Sequence, residues 1–308
     1  LQKLLRVHLV IRICSNIMSL TKKLILGTAQ FGQNYGITNV TGKVSEVEIK
    51  SIFRNARSNQ IHTLDTASSY GDSELVLGNI GVSDFDVITK LPTLGSSTSK
   101  FYETYENSIV SSLKDLKMSR IDTVLLHRPE ELLSSYGEAI YNALRKLKDR
   151  GLVDRIGISI YSPELLDDIC PKYLFDVIQV PLNVFDRRII SSGWLSRLSE
   201  MGVSVIARSV FLQGILLSQV NDLPAYFSQW RPHFKQWIEF YQENGLSALE
   251  ASLQFIAQVP EIDKIIVGVE SERQLTEIVR AINNPVIIES NHLEISDLGL
   301  ISPVHWPS

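Results

Sequence analysis

Asp65, Tyr70, Lys90 and His127 are ionisable residues at or just beyond the ends of three consecutive apolar runs, and their types combine into a proton-transfer set. A tyrosine ordinarily ionises near about 10, so exchanging its proton close to neutrality needs a neighbouring cation that favours the phenolate. Lys90 can supply that cation. A lysine in an apolar pocket would shed its own charge unless paired, and Asp65 is available as the counter-ion. A neutral His127 can donate a hydrogen bond to an oxygen on which negative charge develops. Taken singly, each residue has an ordinary structural reading: a helix cap, a solvated lysine, a satisfied histidine. Flanked together by Leu64, Ile88, Leu125 and Leu126, they form a buried polar cluster that a fold avoids unless something requires it.

Short runs rich in Ile, Val and Leu alternate with longer segments of helical periodicity from Lys23 onward, an order that predicts βαβ units. The runs are Leu24 to Gly27, His62 to Asp65, Asp86 to Lys90, Thr123 to His127, Arg155 to Ser159, Val177 to Val180, Ser204 to Arg208 and Lys264 to Gly268. They are apolar on both alternating faces, as strands covered on both sides are. Helix starts are marked by Ser45 with Glu48, Ser135 with Glu138, Ser247 with Glu250 and Ser271 with Gln274, the spacing of a reciprocal cap, and by Ser162 before Pro163. Gly151 and Gly202 mark helix ends. Phe101, Tyr105, Ile109, Leu113 and Leu116 fall on one helical stripe that must face the sheet.

Eight strand–helix pairs without a second core predict an α/β fold, a single (β/α)8 TIM barrel of parallel strands; an open doubly wound sheet is the runner-up. The stretch Gly27-Thr28-Ala29-Gln30-Phe31-Gly32 lacks the spacing of a dinucleotide fingerprint, which weakens that alternative. An extended loop after strand 7, from about Ile215 to Gly245, carries Trp230, Phe234, Trp237 and Tyr241, which read as a packed loop helix. Residues 1–17 read as a disordered or non-native N-terminal extension, and 18–308 as the barrel. Their apolar stretch, broken by Arg12, is too short to span a bilayer.

Of the 308 residues 44% are hydrophobic and 21% charged, which excludes disordered and fibrous classes. A net charge of −4, with no basic run interleaved with aromatics, argues against nucleic acid as a partner. Cys14 and Cys170 make neither a disulfide framework nor a zinc site, so no metal is expected and the cytoplasm is the expected compartment.

Three segments carry a resemblance: Leu64-Asp65-Thr66-Ala67-Ser68-Ser69-Tyr70-Gly71, Ile88-Thr89-Lys90, and Ile121-Asp122-Thr123-Val124-Leu125-Leu126-His127-Arg128-Pro129. In order and spacing they resemble the signature blocks of the aldo-keto reductase family, and the likeness runs from about Lys23 to Ile282. It implies an oxidoreductase that reduces an aldehyde or ketone by hydride transfer from NAD(P)H, with Tyr70 as proton donor. It further implies cofactor contacts from Gly27, Thr28, Asp65, Ser159, Gln179, Arg208, Gly268, Ser271, Arg273 and Gln274. Ser159 and Gln179 match positions that hold the nicotinamide amide, although Ile160 replaces a frequent asparagine. Arg208 stands near where a stacking tyrosine is common, and a planar guanidinium can stack instead. Free backbone N–H groups after Val267-Gly268-Val269-Glu270-Ser271 are a natural seat for phosphate. Glu270 replaces a frequent basic residue and Ile278 a frequent asparagine, with Arg273 able to compensate. NADP(H) is therefore modestly favoured, and NAD(H) stays open because of Glu270.

The expected substrate is a small carbonyl compound. The rim from Phe31 to Tyr35, Arg128, Asn183 to Arg187, Phe211 and Trp230 suits a polar, sugar-derived aldehyde, and the short tail after Ile282 leaves the pocket open. Two alternatives share the fold: a nicotinamide-binding regulatory barrel with little turnover, and a non-redox isomerase of sugar phosphates.

Overall fold

Every apolar run forms a strand. In the computed structural model, which describes residues 20–94 and 100–307, β1 is Leu24–Gly27, β2 Thr63–Asp65, β3 Asp86–Leu91 and β4 Ile121–Leu126. Then follow β5 (Val153–Ser159), β6 (Val177–Pro181), β7 (Ser204–Arg208) and β8 (Lys264–Gly268). All pair in parallel in sequence order, and β8 returns to β1 through Leu24↔Ile265 to Gly27↔Gly268. The sheet is a closed (β/α)8 TIM barrel. The principal helices, numbered with the strand each follows, are α1 (Glu46–Ser58), α2 (Ser73–Ile80), α3 (Phe101–Leu116), α4 (Gly137–Asp149), α5 (Leu165–Ile169), α6 (Trp194–Glu200), α7 (Ala248–Ala257) and α8 (Glu272–Ile282). Residues 1–17, with Cys14, lie outside the described residues.

Side chains two apart on a strand share a face, and this period builds the site. Ile25, Ile88, Leu125, Val177 and Ile206, with Ile266 against them, form an apolar plug inside the barrel, separate from the larger core between strands and helices. Two residues further along the same strands stand Gly27, Lys90, His127, Gln179, Arg208 and Gly268, and Asp65 and Ser159 join them from β2 and β5. All eight line one cavity at the carboxyl ends of the strands.

The cap expectations divide. Ser247 and Glu250 make the complete reciprocal cap, and the Ser45 side chain accepts from Glu48 N. Ser135 with Glu138 does not cap: Tyr136 precedes α4, and Ser134 takes its N–H. A tight turn over Pro129–Leu133 feeds that helix, where a Cβ on Gly137 would lie 1.9 Å from the Leu132 oxygen. Ser162 is likewise not a cap, because Pro163 and Glu164 form a turn and α5 begins at Leu165. Gly151 and Gly202 end their helices at φ +70° and +72°. Four of the five stripe residues of α3 are buried, with Leu113 half-buried.

After β7, a helix over Arg231–Glu243 buries Phe234, Trp237 and Tyr241, and Phe185 packs edge-on to Phe234 at 5.6 Å. The expected packed loop helix is there, and Tyr241 also borders the cavity. The segment after Ile282 packs beside it: Trp230 Nε1 donates to Asp297 Oδ2 at 2.8 Å and Ile295 N to the Phe185 oxygen at 2.9 Å. No described residue after Ile278 lines the cavity. Among the described residues, no helix is long and apolar enough to cross a membrane.

Candidate active site

The cavity has a volume of about 810 Å³ and runs from the ends of β2 to β4, past β7, to the start of α8. At its base Lys90 Nζ donates to Asp65 Oδ2 at 2.7 Å and to the Thr66 carbonyl at 2.8 Å. Lys90 is 2% exposed and Asp65 4%, so this is a fully buried ion pair. Burial pulls the Lys90 ammonium down, but Asp65 and the Tyr70 oxygen more than offset it, and the lysine holds its proton above the ordinary range. The ammonium lies 4.9 Å from the centre of the Tyr70 ring, close enough to pull on its phenol.

Burial pushes the Tyr70 phenol up, and Lys90 pulls it back without reversing the sign. Only the lysine's part is legible in the sequence. The phenol is accordingly protonated at neutral pH and can donate. His127 stands edge-on to Tyr70, with ring centres 6.3 Å apart at 83°. Burial, then Lys90 and Arg208, hold its imidazole down to about 4, so it is neutral at pH 7. A neutral ring with one N–H beside a phenol offers two hydrogen-bond donors to the same cavity.

Behind the ion pair lies a hydrogen-bonded chain: Ser159 Oγ donates to Gln179 Oε1 at 3.0 Å, and Gln179 Nε2 to Asp65 Oδ1 at 2.7 Å. Both residues line the cavity. Thr28 is fully buried; its Oγ1 donates to the Asp65 carbonyl at 3.1 Å, tying the ends of β1 and β2 together. Tyr70 sits on a loop held against a second one, since a Cβ on Gly71, at φ +58°, would stand 2.3 Å from the Gly32 oxygen. Asp65, Tyr70, Lys90 and His127 are thus brought to one cavity.

The chain matches the aldo/keto reductase family model over residues 23–298. It belongs to that family. Among its relatives, L-galactose dehydrogenase of Arabidopsis thaliana is 26% identical over 294 residues, covering 88% of this chain and 90% of that one. L-glyceraldehyde 3-phosphate reductase of Escherichia coli (strain K12) is 25% identical over 201 residues, 58% of each chain. Uncharacterized oxidoreductase YqkF of Bacillus subtilis is 28% identical over 187 residues, 58% of this chain and 60% of that protein, so two of these matches span only about three fifths of the relative's length. The solved aldo-keto reductase AKR11C1 from Bacillus halodurans, in its holo form, superposes with a TM-score of 0.69 at 20% identity over 88% of this chain and 90% of that one, the same barrel.

The remaining expected contacts separate into two groups. Gly27, Thr28, Ser159, Gln179, Arg208, Gly268, Arg273 and Gln274 all line the cavity, whereas Ser271 does not. The backbone amides before and in α8 are less free than expected. Ser271 Oγ takes Gln274 N at 3.2 Å, Gln274 Oε1 takes Glu270 N at 2.7 Å, and Glu48 Oε1 takes Glu272 N at 2.6 Å. A helix start attracts carboxylates and amide oxygens for the same reason it attracts phosphate. Glu270 Oε2 accepts from Thr41 Oγ1 at 3.2 Å, and Arg273 is exposed, 3.7 Å from Glu277.

Arg208 donates to the Ile160 carbonyl at 2.7 Å and Ser209 Oγ at 3.1 Å, and its guanidinium lies 4.2 Å from the centre of the Tyr161 ring. Among the described residues it makes no salt bridge, and its Nε is buried without a partner. Tyr161 was not anticipated, although an aromatic two residues past a strand end is a signal for a rim position. Of the expected rim, Tyr35 and Phe211 line the cavity; Phe31, Arg128, Asn183 and Trp230 do not, and Arg187 borders a separate small one.

Proposed function

We propose that this reductase converts a polar aldehyde or ketone to the alcohol with NADH or NADPH, Tyr70 donating the proton. The carrying observation is the buried Lys90 ammonium held between the Asp65 carboxylate and the Tyr70 phenol. A non-redox isomerase needs no such set, and a regulatory barrel needs no proton donor. The nicotinamide supplies the hydride when bound. The residues present fit it: Ser159 and Gln179 offer a hydroxyl and an amide to its carboxamide, Arg208 a planar cation beside it, and the cavity continues to α8 with room for a dinucleotide. Asp65 keeps Lys90 charged, Lys90 orients the phenol, and Tyr70 passes its proton to the carbonyl oxygen as charge develops there. Neutral His127 donates a second hydrogen bond to that oxygen.

With the nicotinamide at Tyr70, the adenosine must occupy the far end, which Glu270, Arg273, Glu277 and Ile278 line. Two carboxylates face one arginine there, and that arginine already leans on Glu277. A 2′-phosphate dianion is repelled, while a ribose hydroxyl can donate to Glu270. This balance favours NADH over the NADPH that the family resemblance modestly favours. Tyr35, Tyr161, Phe211 and Gln213 at the mouth suit a hydroxylated substrate, in line with the sugar substrates named for two relatives. The cytoplasm is the compartment we propose, on cysteine usage.

The test is loss of NADH and NADPH absorbance with a panel of aldehydes. Tyr70→Phe is expected to lower kcat by about 100-fold or more, the usual loss of a general acid. Equal rates for wild type and variant refute the assignment.

A further inference from the structure

The segments that carry the catalytic side chains converge on the first two residues of α2, and neither of those residues reaches the cavity. Ser73 is fully buried. Its Oγ donates to the Thr28 carbonyl at 3.0 Å, lies 2.9 Å from Thr28 Oγ1, and accepts from Thr66 Oγ1 at 3.2 Å. Thr28 in turn donates to the Asp65 carbonyl through both N and Oγ1, at 3.0 and 3.1 Å. The Thr66 carbonyl is the second acceptor of Lys90 Nζ. One serine hydroxyl therefore joins both loops that set the Asp65 side of the ion pair.

Glu74 does the same for the other side. It is buried, and its Oε1 accepts from Thr89 Oγ1 at 2.6 Å. Thr89 immediately precedes Lys90 on β3 and, by strand alternation, points out towards the helices. The Ser112 hydroxyl on α3 also favours the charged form of this carboxyl. Burial pushes the Glu74 carboxyl up, and the two hydroxyls hold it back. A carboxyl in this apolar layer is costly, and Thr89 gives it a place directly behind the catalytic lysine.

We propose that Ser73 and Glu74 are positioning residues for carbonyl reduction: α2 begins as a peg that fixes the ends of β1 and β2 through Ser73 and β3 through Glu74. The distances from Lys90 Nζ to Asp65, Thr66 and Tyr70 follow from where that peg sits. The inference rests on the reading of Tyr70 and Lys90 given above. A displacement of about 1 Å at such a site is worth up to 100-fold in rate, so small shifts of β3 are measurable.

The test compares Glu74→Gln, which keeps the oxygen that Thr89 bonds, with Glu74→Leu, which removes it. Glu74→Leu is expected to lower kcat by about 10-fold or more, with the Kd for NADH, read by tryptophan fluorescence, unchanged. The alkaline limb of kcat against pH should move upward, because Lys90 no longer pulls the Tyr70 phenol down. Glu74→Gln should restore both to near wild type. Ser73→Ala and Thr89→Val each delete a single hydroxyl, and carry the same expectation should the leucine variant not fold. Wild-type kcat and an unmoved alkaline limb in the hydroxyl variants, with only the melting temperature lowered, would overturn the proposal. So would a glutamine variant as impaired as the leucine one. A wild type with no Tyr70-dependent turnover would instead bring down the underlying assignment, a distinguishable outcome.

Discussion

Replacing Asp65 with asparagine isolates the interaction on which the site depends. In the wild type, Asp65 Oδ2 accepts from Lys90 and Oδ1 from Gln179, so both oxygens face donors. An asparagine must turn its amide N–H2 towards one of them and leave that donor opposed by another. Removing one member of a buried pair costs about 3–5 kcal/mol if the other stays charged. The alternative is for Lys90 to release its proton. Starting from the ordinary 10.5, discharge at pH 7 costs about 5 kcal/mol, at about 1.4 kcal/mol per pH step. The two costs are close, so without Asp65 burial should bring the Lys90 ammonium to a pKa well below the ordinary 10.5. The sign then follows. Between that value and 10.5 the unfolded chain binds a proton that the folded variant does not, and the variant gains stability as pH rises. In the wild type the folded lysine's proton is held above the ordinary value, so its contribution is intact below 10.5 and is lost only above it. Urea unfolding at pH 7 and pH 9 should show the deficit shrinking by about 2 kcal/mol. A deficit that is flat or widening over this range refutes the picture of a lysine held charged chiefly by Asp65.

The acid limb of kcat/KM should lie near the value of about 4 to which burial, Lys90 and Arg208 hold His127, instead of near 6.5. As pH falls between those values the unfolded imidazole takes a proton that the folded one refuses, so stability should decline over the same window. An imidazole NMR titration centred near 6.5 would sink this. Glu270→Lys should raise NADPH affinity relative to NADH by about 10-fold, the equivalent of about 1.4 kcal/mol for exchanging repulsion for attraction. Equal ratios in equilibrium binding would mean that residue 270 does not face the adenosine ribose.

What was legible in the chain follows the physics of each feature. The strands were readable because a buried parallel strand is apolar on both faces, and β1, β7 and β8 begin and end where the apolar runs do. The layer of chemistry was readable because alternation carries it: Ile88 then Lys90, Leu125 then His127, Val177 then Gln179. Features set by two chain segments at once were not readable. Nothing in Ser135 with Glu138 reveals that Gly137 must press on the Leu132 carbonyl, so a good cap signal goes unused. Nothing near Gly268 shows that Glu48, more than two hundred residues earlier, already holds an amide of α8. Lys90 and Tyr70 show the same limit in reverse. Proximity of a cation to a phenol was inferred correctly, but the degree of burial decides whether the phenol ends above or below its ordinary value, and only the packed barrel sets that. Because burial wins, the phenol keeps its proton at neutral pH, which is what the proposed role of Tyr70 as a proton donor requires.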